Sequence, residues 1–199
     1  MRLPFVVFVV CAVLIFAFRI SLQYGRTRDH GLRLGKQGAT RSGKVATQMQ
    51  AAALLGVLTL TVLDSFSLLS GQLDLGAMGT TAGIAVCAMA TAITMVSQYQ
   101  MGDAWRIGVD ASEKNELVVH GMFSVSRNPI YSGMLLLGIG FVILVPHFLT
   151  LLFAAIGYFG LDVQVRTVEE PYLNEVHGER YETYCQRVGR YFPHLRSGR

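Results

Sequence analysis

Charge is what this chain has least of: Asp, Glu, Lys and Arg make up 15% of its 199 residues, against roughly 25% in ordinary soluble domains. With 52% hydrophobic residues and a mean hydropathy of +0.43, that deficit excludes an ordinary soluble fold and points to the membrane class. Cysteine is also sparse. Cys11, Cys87 and Cys185 are widely separated and form no Cys-x-x-Cys or Cys/His pattern, so neither a disulfide frame nor a metal site is expected, and small buried hydrophobes are the better reading. The 17 Lys and Arg outnumber the 13 Asp and Glu, for a net charge of +4. On a soluble protein that surplus would suggest nucleic acid; here the basic residues sort by loop, so topology explains them and no nucleic-acid partner is expected.

What is present in quantity is apolar sequence. Runs long enough to cross a bilayer lie at about 3–22, 46–70 and 75–97, followed by a double-length run at about 130–166. The last is too long for one helix. Pro146 and His147 at its middle predict two antiparallel spans, 130–146 and 148–166, joined by a tight turn. The expected fold is therefore all-α and integral to the membrane: a single domain over 1–199 with five transmembrane helices, a C-terminal helical hairpin and a cytoplasmic helical tail. Arg2 alone precedes the first run and no small-residue cleavage site follows it, so a retained span is expected there. Arg19 through Lys44 supply seven basic residues between the first two runs, Arg106, Lys114 and Arg127 lie between the third and fourth, and Arg166, Arg180, Arg187, Arg190, Arg196 and Arg199 follow the last. The positive-inside rule puts these three segments in the cytoplasm and the N-terminus outside. Within the basic loop 19–44, the Gly-, Arg- and Thr-rich stretch Gly25 to Gly43 reads as lipid-facing, attracted to anionic headgroups. Gly157 and Gly160 read as close-packing positions for the last hairpin.

Two polar clusters interrupt this apolar pattern, both on the expected cytoplasmic side. The first is HGMFSVSRNPIYSG, His120 to Gly133. Asn128 is a good N-cap and Pro129 a good first helical residue, so a helix start is expected there, presenting free backbone N–H groups and partial positive charge to an anionic group. Arg127 and Tyr131 stand beside it, and Gly121 leaves room for a ligand near the loop backbone. The second cluster is Arg166, Glu169 and Glu170, whose spacings of three and four predict ion pairing on one helical face. Two adjacent carboxylates at an apolar boundary call for more positive charge than one arginine supplies, so a cationic ligand is expected to complete them. Beyond Pro171 the tail is amphipathic, suited either to covering the site or to lying on the membrane surface.

The string GMFSVSRNPIYSG, followed one hairpin later by RTVEEPYL and then HGERYETYCQRVGRYFP, resembles the isoprenylcysteine carboxyl methyltransferase family, its bacterial-type members and the wider phospholipid methyltransferase superfamily. The resemblance covers about 98–193 and includes the tetrad Trp105 to Gly108. It implies S-adenosylmethionine as cofactor, bound by Val119, His120, Gly121, Phe123, Arg127, Asn128, Pro129, Tyr131 and Glu170. It also implies catalytic roles for Arg127, Arg166, Glu169 and Glu170, with a lipophilic small molecule or lipid as acceptor. Asn128 departs from the family's usual histidine: it keeps hydrogen-bonding capacity but has no titrating proton, which argues against proton transfer there. Carboxylate O-methylation of a prenylated or otherwise lipophilic small molecule is the expected reaction. Phospholipid N-methylation is the neighbouring alternative, because some lipid methyltransferases carry Asn-Pro-x-Tyr. An NADPH-dependent sterol reductase-like protein and a non-catalytic lipid-binding membrane protein are the alternatives of other classes.

Overall fold

Small residues decide which helices pair in this molecule. The computed structural model describes residues 3–17, 20–21, 24–25, 40–102 and 116–193, and among these the regular structure is helical, with one isolated parallel bridge, Ser126 to Gly189. Helix α1 spans Leu3–Ala12 and runs into a widened turn, Val13–Ala17; α2 spans Arg41–Ser65 and α3 Gly76–Met101. Helix α4 spans Pro129–Leu144 and α5 Phe148–Gln164, which continues through a second widened turn, Val165–Glu169, into α6, Glu170–His177; α7 is Glu179–Arg187. The tetrad Trp105–Gly108, most of the basic loop 19–44, and Arg2, Arg106, Lys114, Arg196 and Arg199 lie outside the described residues.

Three helical stretches, α2, α3 and Phe148–His177, are long and apolar enough to cross a membrane, while Leu3–Ala17 and Pro129–Leu144 are apolar but shorter. At about 1.5 Å per residue α4 rises roughly 24 Å, short of the ~30 Å hydrocarbon layer. Helix α2 begins at Arg41 rather than 46 because the Thr40 hydroxyl caps it, accepting from Gly43 N at 3.2 Å. It stops at Ser65 rather than 70, where Ser67 turns the chain with φ of 58°. The hairpin turn at Pro146 and His147 forms as expected: His147 Nδ1 accepts from Leu149 N at 3.1 Å and caps α5.

Helix α2 packs along α5, and α3 along α4. At Gly160 a Cβ would sit 2.9 Å from Met49 Cβ and 3.2 Å from Ala46 O; at Gly133 it would sit 2.9 Å from Ala90 O. Only glycine allows either pair of backbones this close. Gly157 likewise faces Ala53, so this glycine pair fastens α5 to α2 rather than holding the α4–α5 hairpin together. Helix α1 joins the two pairs, with Cys11 buried among Val57, Cys87 and Phe141. Beneath them α7 packs on the loop before α4, burying Tyr181, Tyr184 and Val188 against Leu117.

Candidate functional site

Between the two helix pairs lies a cavity of about 840 Å³, at the upper end of the roughly 300–1,000 Å³ typical of small-molecule sites. Its apolar arm is lined by Phe8 of α1, Val57 of α2, Leu137 and Phe141 of α4, and Phe153 of α5. Its polar end gathers Arg127, Asn128, Tyr131, Gln164 and Glu169, and it is roofed by Leu173, His177, Tyr181 and Tyr184 of the tail. The tail therefore covers the site, the first of the two roles its amphipathic pattern allowed.

Backbone pairing fixes the polar end. Arg127 N donates to Gly189 O at 2.8 Å and Asn128 N to Arg190 O at 3.0 Å, while the Ser126 and Ser132 hydroxyls donate to Arg190 O at 3.0 Å and Tyr191 O at 2.7 Å. Asn128 and Pro129 occupy the expected helix-start positions, but the Asn128 side chain makes no cap bond. Its amide instead donates to Arg190 O at 3.2 Å, because the returning chain offers an acceptor on the opposite side. Tyr184 donates its hydroxyl to Phe123 O, and burial pushes that hydroxyl up to about 12, so it stays a donor at neutral pH.

The two glutamates separate. Glu169 faces the cavity, where the Tyr131 hydroxyl donates to its Oε1. Glu170 lies behind, held at two points by Arg190, Nε to Oε1 at 2.8 Å and Nη2 to Oε2 at 2.7 Å, and at 3.2 Å by Arg127 Nη1. These bonds push the Arg190 guanidinium above its already high value. Arg127 also donates to the Cys185 sulfur. One carboxylate against two guanidiniums leaves the trio one positive charge in excess. Arg127 Nε is buried without a partner, and so is Gln164 Oε1.

Arg166 departs from expectation. It pairs with Asp162 instead of the glutamates, Nε to Oδ2 at 2.7 Å, and its side chain is 54% exposed. Two causes combine: Asp162 lies one ordinary helical turn upstream, and the widened turn, closed by Glu170 N to Val165 O, changes the facing of everything after it. Of the expected cofactor-binding residues, Phe123, Arg127, Asn128, Pro129 and Tyr131 line the cavity, whereas Val119, His120, Gly121 and Glu170 do not. Gly121 is glycine for another reason. Its φ is 60° and the Gln100 side chain, which accepts from Met122 N at 2.7 Å, fills the space that a Cβ would take. Among the residues that sequence reasoning missed, Asp162 had a readable signal, its i, i+4 spacing to Arg166; Arg190 and Gln164 had none.

The residues present fit a zwitterionic ligand with an adjoining apolar molecule. The trio around Glu170 offers a net positive charge and an unpartnered N–H, Glu169 offers a carboxylate, and the arm beyond is apolar. No group of His, Cys, Asp and Glu suited to a metal ion occurs among the described residues. The sequence profile described as phospholipid methyltransferase matches residues 78–180, more than half of the chain. Protein-S-isoprenylcysteine O-methyltransferase B of Arabidopsis thaliana is 28% identical over 82 residues, covering 41% of this chain and 42% of that protein. The chain thus spans less than half the length of this curated relative.

Proposed function

Since this chain belongs to the phospholipid methyltransferase family, we propose that it is an integral membrane methyltransferase that uses S-adenosylmethionine and methylates the carboxylate of a prenylated or otherwise lipophilic small molecule. The observation that carries this reading is that Arg127, Tyr131 and Glu169 adjoin an apolar arm in one cavity between the helix pairs. The cofactor would supply an electrophilic methyl group on a sulfonium. Arg127, at the start of α4, would receive its carboxylate, and Glu169, held by Tyr131, would face its cationic groups. The apolar arm would take the acceptor's hydrocarbon and exclude water, so positioning and desolvation carry the rate. An acceptor carboxylate is already ionised near neutral pH, so no residue need remove a proton. Asn128, which cannot titrate, is consistent with that chemistry. The relative named for O-methylation supports this substrate class.

Phospholipid N-methylation is a second reading, favoured by the sequence Asn128, Pro129, Ile130, Tyr131. Five spans, with the N-terminus outside and the site cytoplasmic, are supported by the distribution of Arg and Lys among the loops. Incubation with methyl-labelled S-adenosylmethionine and a lipid extract separates the two chemistries. A base-labile label, released as methanol from a lipophilic acid, supports the first; a base-stable label on an amine headgroup supports the second; no saturable transfer sinks both.

A further inference from the structure

Arg190 lies beyond the residues the family profile matches and outside the lining of the cavity, yet it makes the closest ion pair of the polar end. Glu170 carries one negative charge. Arg127, which faces the ligand space, reaches it at a single 3.2 Å contact, while Arg190 holds both its oxygens at 2.7 and 2.8 Å. A two-point guanidinium–carboxylate contact outcompetes a single longer one, so Glu170 is engaged mainly by Arg190 and Arg127 keeps unspent positive charge toward the cavity. Without Arg190, both oxygens of Glu170 would be free to close on Arg127 and neutralise it. The side chains of Arg127, Glu170 and Arg190 are only 12, 18 and 24% exposed, so water replaces these contacts poorly. The register is built in: the segment carrying Arg190 pairs through its backbone with the segment carrying Arg127.

We propose that Arg190 is a positioning residue that occupies Glu170 and thereby keeps Arg127 available to bind the carboxylate of the cofactor. This rests on the reading of the cavity as an S-adenosylmethionine site. The trio then works by charge balance: two guanidiniums and one carboxylate leave one positive charge for one anionic ligand group.

The test is calorimetric titration of the full chain in detergent with two probes, S-adenosylhomocysteine and its decarboxylated analogue. Wild type binds the first about tenfold or more tighter, the scale of one charge-assisted contact. Arg190→Gln shrinks that preference to less than about threefold while still binding the analogue, because only the carboxylate contact is lost. The double variant Arg190→Gln, Glu170→Gln regains most of the preference, since Arg127 is again the surplus charge. Arg190→Lys, which keeps the charge, keeps part of it. A double variant as poor as Arg190→Gln overturns the proposal and makes Arg190 a strap for the tail, as does loss of both probes in Arg190→Lys. Unchanged discrimination in Arg190→Gln overturns the proposal alone. Failure of wild type to bind either probe overturns the cofactor reading with it.

Discussion

Glu170 is held by Arg190, twenty residues ahead of it, and not by Arg166, four residues behind it. That choice of partner ties the tail to the residues behind the polar end of the cavity. It also divides the adjacent glutamates, leaving Glu169 to face the ligand space beside Tyr131.

The arginines are predicted to differ sharply on substitution. Arg127→Ala removes the cation that lines the cavity and leaves Glu170 with one partner fewer, so cofactor affinity falls by about 100-fold, the scale of a buried charge pair. Arg166→Ala breaks a solvent-facing pair with Asp162, worth no more than about 1 kcal/mol, so its effect stays within roughly fivefold. Titration with S-adenosylhomocysteine checks both. A larger loss at Arg166 would return it to the site.

Tyr131 is predicted to act through Glu169. Tyr131→Phe removes a donor to a carboxylate and weakens cofactor binding by about 10-fold, within the range for one hydrogen bond to a charged group. In a Glu169→Gln background the same change adds little. Additive effects in the double-variant cycle would show that the two residues do not cooperate.

Packing within each helix pair sets stability. Gly133→Leu and Gly160→Leu force side chains into backbone and should each destabilise by about 1–3 kcal/mol or prevent folding. Gly138→Ala, whose new methyl would meet Ala154 at an ordinary 3.6 Å, is tolerated. Thermal unfolding in detergent reads the contrast.

Topology is open to cysteine labelling in a background lacking the native cysteines. Glu116→Cys, just before the loop that carries Arg127, should label with a membrane-impermeant thiol reagent only after the cells are opened. Leu68→Cys, in the connector after α2, should label in intact cells. The reverse pattern would invert the proposed orientation.

The membrane class, the hairpin turn at Pro146 and His147, and the gathering of Arg127, Tyr131 and Glu169 were legible in the sequence because each rests on local chemistry: apolar runs, proline geometry, and charge at an apolar boundary. Arg190 was not. Helical spacing rules reach three or four residues, whereas Arg190 arrives through backbone pairing of Gly189 and Arg190 with Arg127 and Asn128. Asn128 misled for the same reason: its preference for capping is real, but the returning tail offered its amide a different partner. Asp162 stands at i, i+4 spacing from Arg166, the same local rule that points to the two glutamates downstream, and the widened turn decides in its favour.

The most direct measurement is transfer of labelled methyl from S-adenosylmethionine to lipids of a native extract by the purified chain in nanodiscs, with Arg127→Ala and Glu169→Gln alongside. Saturable transfer to a lipophilic acid, released by base as methanol and lost in both variants, is the predicted result. Transfer that persists in both variants, or no transfer at any cofactor concentration, would contradict the assignment of this cavity as a methyltransferase site.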